Sequence, residues 1–288
     1  MPVLTEHPLL IGTRSVTLLE GPAGWGEWSP LPGYPADAAS CRRAAEEAAL
    51  VGFPPPVRDA VPVNALVDDP GFDPATLAGF PAVKVKVGRP GDVDLVARVR
   101  DAVGRGVALR VDANGAWDVD TAVDVIAELA RYDLELVEQP VASLEDLARV
   151  RARVGVPIAA DECVRTLDDA RRLRALGAAD VIVLKQQPLG GVRAALAIAE
   201  AADRPAVVSS MMETSVGIAA GVALAAALPE LPYACGLATL AHVDGDVVVD
   251  PLLPANGVLR VRTVEPDPRL LSRYQSSRSR ATAKGSSR

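Results

Sequence analysis

The sequence predicts an α/β protein whose parallel strands, about eight of them, close into a barrel. Three observations predict it. Strand-like and helix-like runs alternate from residue 61 onward. Five successive strand-like runs each end in an ionisable residue: Lys86, Asp112, Glu138, Asp161 and Lys185. Those residues are about 26, 26, 23 and 24 positions apart, close to one strand-plus-helix unit of a barrel. Unrelated surface charges have no reason to keep such a period.

Composition bounds the function. The chain has 288 residues and is 49% hydrophobic, enough for a large core in one or two domains. Its net charge is −7, with no basic stripe outside the C-terminal tail, which argues against nucleic acid as a partner. No apolar run approaches the roughly 20 residues of a membrane span. The start, MPVLTEHPLL, lacks the basic and apolar segments of a secretory signal. Cys41, Cys163 and Cys235 are few, odd in number and far apart; they fit a reducing cytoplasm rather than a disulfide framework. With only His7 and His242, a metal would be held by carboxylates. That favours a hard ion such as Mg²⁺, with Mn²⁺ as the alternative. Nothing in the chain demands an assembly larger than a monomer.

Residues 10–28 read as a hairpin around Gly-Pro-Ala-Gly, followed by the stiff loop Ser29–Pro35. Ala36–Val51 is alanine-rich and helical, with Asp37 as its cap. Phe53–Pro56 breaks it. A domain boundary near residue 60 separates this N-terminal unit (1–60) from the barrel (61–240). The strands are Val61–Val67, Val83–Val87, Leu109–Asn114, Leu134–Pro140, Pro157–Glu162, Asp180–Gln186, Ala206–Ser210 and Tyr233–Leu237. Helices fall between them at Asp92–Val103, Asp118–Ala130, Ser143–Arg153, Thr166–Leu176, Gly191–Ala202 and Thr214–Leu228. Strand–helix alternation at this length argues for right-handed crossovers and a parallel sheet. An open doubly wound sheet is the alternative. Residues 241–271 hold turns between β-rich runs and are expected to return to the N-terminal hairpin. Residues 272–288 are Ser/Arg-rich without an acid and are expected to be disordered.

The chemistry follows from strand geometry. In Ala82–Gly88, Lys84 and Lys86 share one face while the valines fill the other. Alone, this is also the pattern of an edge strand with its lysines in water. Functional groups of a barrel sit at the C-terminal ends of its strands. Three acids gathered there, Asp112, Glu138 and Asp161, repel one another unless a cation joins them. Lys86 and Lys185 then face each other across that cation. This suits removal of a proton next to a carboxylate, the cation absorbing charge as an enediolate forms. A lysine acts as a base only when part of it is neutral, and a neighbouring cation such as Lys84 favours that. Arg110 and Asn114 share the face of Asp112, and Arg110 suggests a second substrate carboxylate. Ser209–Glu213 and Gly236 follow the last strands and could offer backbone N–H groups to an anion. Each group also has an ordinary use: a turn cap, a solvated charge or a salt bridge.

The ordered set GWGEWSPLPGYP, KVK, VDANGAW, EQP, ADE, LKQQPLGG, SSMMETSVG and CGLATL resembles the enolase superfamily, for which lysine bases with Mg²⁺ are the known pattern. The likeness spans most of the chain. It implies a (β/α)7β, TIM-like barrel with a small α+β cap built from the N- and C-terminal segments. It implies Asp112, Glu138 and Asp161 as metal ligands, Lys86 as the acid/base and Lys185 as the group that stabilises the enediolate. Lys84, Arg110, Asn114, Ser209 and Gly236 fall at or beside the positions that meet substrate, a small dicarboxylate. Within the superfamily the likeness is to the dehydratases that convert 2-succinyl-6-hydroxy-2,4-cyclohexadiene-1-carboxylate to 2-succinylbenzoate in menaquinone biosynthesis. It also implies that the loop Trp25–Tyr34 closes over the substrate. The sequence departs from the pattern in a short cap with one helix, and in Gln186-Gln187 after Lys185, where many relatives have proline.

Three other readings compete with this one. A racemase of N-succinyl amino acids would employ Lys86 and Lys185 as opposed bases. A Schiff-base lyase would use Lys185 and leave the acids idle. A non-catalytic barrel scaffold would need none of them.

Overall fold

The computed structural model describes residues 3–275. The chain begins with three antiparallel strands, β1 (Thr5–Ile11), β2 (Arg14–Gly21) and β3 (Gly24–Trp28). The β2–β3 hairpin is the one read from the sequence. β1 was hidden by Pro8, which an edge strand tolerates because its N–H is not needed by a neighbour. Helix α1 (Ala38–Leu50) starts where Asp37 accepts bonds from the Ala39 and Ser40 N–H groups. Its alanine face, Ala44, Ala45, Ala48 and Ala49, is buried and packs against β3 and β2.

β4 (Ala60–Pro62) precedes the barrel. The barrel strands are β5 (Asn64–Val67), β6 (Ala82–Lys86), β7 (Ala108–Asp112), β8 (Leu134–Glu138), β9 (Ile158–Ala160), β10 (Val181–Lys185) and β11 (Ala206–Ser209). All seven are parallel and neighbour one another in sequence order. The connecting helices are α2 (Asp92–Val103), α3 (Val119–Leu129), α4 (Leu144–Arg151), α5 (Leu167–Leu176), α6 (Val192–Ala202) and α7 (Ser215–Ala227). Asp118, Ser143 and Thr166 cap α3, α4 and α5, each accepting a bond from a first-turn N–H. Gly177 ends α5 in the left-handed region at φ 59°, where a Cβ would be strained.

The register brings the functional residues level. Lys86 pairs with Asp112, and Asp112 with Glu138, across β6, β7 and β8. Lys185 pairs with Ser209 across β10 and β11. One sheet thus carries all of them to one end.

The eighth strand expected at Tyr233–Leu237 is reduced to a two-residue seam. Cys235 bridges Val63, and Gly236 bridges Ser209. Cys235 N donates to Pro62 O at 2.7 Å, and Gly236 N to Val208 O at 2.8 Å. These bonds close the ring between β11 and β5.

The C-terminal segment returns in two places. β12 (Val258–Arg260) pairs with β4 at the barrel's entry. Val247 and Val248 pack with Leu9, Ile11, Val16 and Leu18 on the N-terminal sheet. Helix α8 (Pro268–Tyr274) enters the stretch expected to be disordered. Asp267 caps it, Pro268 suits its first turn, and Leu271 and Tyr274 pack on that same cluster. Residues 276–288 of the expected tail lie outside the described residues. Among the described residues no helix is long and apolar enough to cross a membrane.

Candidate active site

The C-terminal ends of the barrel strands hold a buried array of opposite charges. Lys84 Nζ donates to Asp112 Oδ2 at 2.9 Å and to Glu138 Oε1 at 2.9 Å. Lys86, one step nearer the mouth, donates to the same Asp112 oxygen at 2.6 Å and to Asn114 Oδ1 at 2.7 Å. Lys185 Nζ donates to Asp161 Oδ2. Lys84, Asp112, Glu138, Asp161 and Lys185 are all buried; Lys86 keeps 31% of its side chain exposed. The exposed ammonium is therefore the one a substrate can reach without rearranging the array.

The electrostatics follow from burial and pairing. Burial works against the charge on Lys84, but Asp112 and Glu138 outweigh it and hold its pKa above the ordinary value. Lys185 behaves alike: burial opposes its charge, and Asp161, Glu162 and Glu138 overcome that. Burial would raise the Asp112 pKa, yet Lys84 and Lys86 bring it below the usual carboxylate range. Glu138 is pushed up to about 8, by burial and then by the Asp112 charge. It is the acid that the surrounding cations serve least.

Several predicted residues do other work here. Lys84 lines the same cavity as Lys86 and Lys185, but its ammonium is committed to two carboxylates. Asn114 accepts from Lys86 and donates to Glu162 at 2.9 Å, so it orients the lysine. Gly236 lies at the cavity, but its N–H is taken by Val208 O and is not offered to an anion. Met211 N–H is likewise taken, by Glu213 Oε2 at 2.7 Å. Ser209 is buried beside the cavity. Arg110, expected to meet a substrate carboxylate, is engaged within the protein. Its Nε donates to Glu135 at 2.5 Å and its Nη1 to Ala234 O at 2.6 Å, and it lies over the Tyr233 ring. Alternation put it on the inner face, level with its register partner Lys84, but its donors are spent on these groups within the protein.

Other residues complete the site from far along the chain; the resemblance put the loop Trp25–Tyr34 over it but did not give these contacts. Tyr34, from the loop after β3, donates to Asp161 Oδ1 at 2.9 Å, and its ring centre lies 4.3 Å from Lys185 Nζ. That contact is of the cation–π kind. Glu162 stands next to Asp161, and its Oε2 is buried without a partner. Gln139 accepts from the Asp161 N–H at 2.7 Å and so fixes the end of β9. The cavity left at the mouth is about 50 Å³.

The donor set fits a hard divalent ion. Asp112, Glu138 and Asp161 come from three adjacent strands, all present oxygen, and all are buried. The partnerless Glu162 Oε2 adds an oxygen still wanting a positive neighbour. Among the described residues these acids are not drawn into one ready-made cage. Like charges repel, and here the ammonium groups of Lys84 and Lys185 neutralise them.

Comparison with known proteins places these features. Residues 73–266 match the family model described as enolase C-terminal domain-like, and residues 10–49 the enolase N-terminal domain-like model. The chain is 56% identical to the o-succinylbenzoate synthase of Thermobifida fusca, over 88% of this chain and 84% of that one. It is 48% identical to the o-succinylbenzoate synthase of Mycolicibacterium smegmatis, over 91% and 84%. Among solved structures, the muconate lactonizing enzyme of Pseudomonas putida superposes with a TM-score of 0.80 at 22% identity, covering 96% of this chain and 98% of that one. A dipeptide epimerase of Enterococcus faecalis superposes with a TM-score of 0.74 at 25% identity, covering 91% and 96%. The structural likenesses establish the capped barrel.

Proposed function

The chain belongs to the enolase superfamily, and from that premise we propose that it is an o-succinylbenzoate synthase. It would dehydrate 2-succinyl-6-hydroxy-2,4-cyclohexadiene-1-carboxylate to 2-succinylbenzoate and water. The observation that carries the proposal is the 56% identity to a relative of that name, in a chain whose two lysines line one cavity at the mouth of the barrel.

Lys86 is the acid/base. It removes the proton from the ring carbon that bears the carboxylate. It then returns that proton to the departing hydroxyl on the neighbouring carbon, so that water leaves and the ring becomes aromatic. Its exposure and its bonds to Asp112 and Asn114 hold it at the mouth for both transfers. Lys185, kept charged by Asp161 and Glu162, sets a fixed positive charge opposite the developing enediolate. Asp112, Glu138 and Asp161 would hold the divalent ion, which enzymes of this superfamily generally take as Mg²⁺. Bound there, such an ion supplies Lewis-acid stabilisation of the substrate carboxylate. Asn114 keeps Lys86 aimed, and Tyr34 covers Lys185.

The test is to incubate the purified protein with the cyclohexadiene carboxylate, with and without Mg²⁺, and follow formation of 2-succinylbenzoate. Mg²⁺-dependent product is expected. Racemisation of N-succinyl amino acids without any dehydration would replace this reading with the racemase.

A further inference from the structure

Resting on the dehydratase reading, we infer that Gln187 is a positioning residue for the reaction: its buried amide fixes loop 29–35 so that Tyr34 lies over Lys185 and Asp161. Gln187 is fully buried and lies two residues beyond Lys185. Its Oε1 accepts from the Ser29 N–H at 3.0 Å. Its Nε2 donates to Ser29 Oγ at 3.1 Å and to Glu213 Oε1 at 3.1 Å. Ser29 Oγ in turn donates to Glu27 Oε1 at 2.6 Å. Glu27 Oε2 accepts from the Thr214 and Gly217 N–H groups at 3.1 and 3.0 Å, at the start of α7. A Cβ on Gly217 would lie 3.0 Å from that oxygen and 2.5 Å from Glu213, so the carboxylates approach only because this residue is glycine.

The network joins the root of the cap loop to the segments that follow β10 and β11. The turn that carries Gln187 is itself rigid: Gly190 N donates to Gln187 O at 3.1 Å and Gly191 N to Gln186 O at 2.9 Å. At the far end of the loop, Arg165 Nη1 donates to Pro35 O at 3.3 Å. Arg14 Nη2 also donates to Ser29 O at 2.8 Å, from a part-buried position; of the bonds that hold the two ends of the loop, those of Gln187 are the fully buried ones. Docking of the cap as a whole rests on other contacts. Arg193 donates to Glu47 of α1 at 2.7 Å and to Gly52 O at 2.7 Å. An amide is required at position 187 because Ser29 N–H needs an acceptor while Glu213 needs a donor; neither leucine nor glutamate supplies both.

The test uses Gln187→Leu and Tyr34→Ala in the full chain, singly and together. Each single change is expected to raise KM about tenfold with a smaller change in kcat. The double variant is expected to stay within about twofold of Tyr34→Ala. A second readout needs neither turnover nor metal. Nitration of Tyr34 by tetranitromethane, read by peptide mass with Tyr132, Tyr233 and Tyr274 as internal references, is expected to quicken in Gln187→Leu. Additive effects on KM, or unchanged Tyr34 nitration, would overturn the assignment. So would a fall in Tm with KM and nitration as in the wild type. Where Gln187→Leu does not fold, Ser29→Ala removes the Oγ half of the tether and leaves the Ser29 N–H bond; it is judged by smaller changes in the same directions. Should the wild type not dehydrate the substrate at all, nitration still decides the role of Gln187, separately from the function.

Discussion

The barrel's inner face carries basic side chains that are used in opposite ways. Arg110 gives its donors to Glu135, to a main-chain carbonyl and to the neighbourhood of Asn64. Its partners are fixed and one of them is backbone. At the mouth Lys84, Lys86 and Lys185 give theirs to carboxylates that other cations can claim. All of them point inward from strands of the same sheet. Neither face nor height separates them, because Lys84 and Arg110 pair in register across β6 and β7; what differs is the partner, Glu135 and a fixed carbonyl for Arg110 and shared carboxylates for the lysines.

Four experiments break or sharpen that contrast. Lys86→Ala is expected to lower kcat by about 10³-fold or more, the range of a lost general acid/base, with an unchanged circular dichroism spectrum. Turnover near the wild-type rate would remove Lys86 from the chemistry. Stripping divalent ions with EDTA is expected to reduce turnover by about 10²-fold or more and Mg²⁺ to restore it, as Lewis-acid assistance requires. Full activity in EDTA would mean that the three acids serve the lysines alone.

Arg110 should respond in the other currency. Arg110→Met is expected to cost about 3 kcal/mol of stability, because it leaves the buried Ala234 carbonyl and the partly exposed Glu135 without their donor, while KM of the folded fraction stays put. Denaturant titration with parallel kinetics decides; a raised KM at unchanged stability would return Arg110 to substrate binding. The smallest effect concerns Glu27, whose pKa is pushed from 4.5 to about 7 by burial and then by Glu213. Below its unfolded value both states hold the proton. Between that value and the folded one, only the unfolded chain releases it, so stability falls as pH rises through this window. The loss is on the order of 3 kcal/mol at most. Glu27→Gln should therefore show a shallower fall of Tm between about pH 5 and about pH 8. An equal slope in both proteins would deny Glu27 that role.

Much of this was legible in the residues. The period from Lys86 to Lys185 located the strand ends, and the helices read from residues 118, 143 and 166 begin within a residue of their observed starts. Local rules suffice there because strand, turn and cap are settled within a few positions. The individual contacts of Tyr34, Gln187 and Glu27 escaped for the opposite reason, although the resemblance had placed the loop Trp25–Tyr34 over the site. Their partners are 127, 158 and 187 residues away, and no periodicity encodes a contact between a cap loop and a barrel turn. Arg110 was placed on the inner face by alternation, which carries no information about the Glu135 carboxylate and the Ala234 carbonyl that take up its donors. The eighth strand was found but overestimated, because its neighbours demand only two residues of backbone to finish the ring.

That narrow seam has a consequence during synthesis on the ribosome. Seven strands emerge before Cys235 and Gly236 do, so β5 and β11 wait with unpaired backbone edges while the last stretch is made. An incomplete chain of this kind offers two ready templates for strand addition by a second nascent copy. A substitution that weakens Gly236, where a Cβ would lie 2.7 Å from Ser209 Oγ, should therefore show itself first as insoluble protein in the expressing cell.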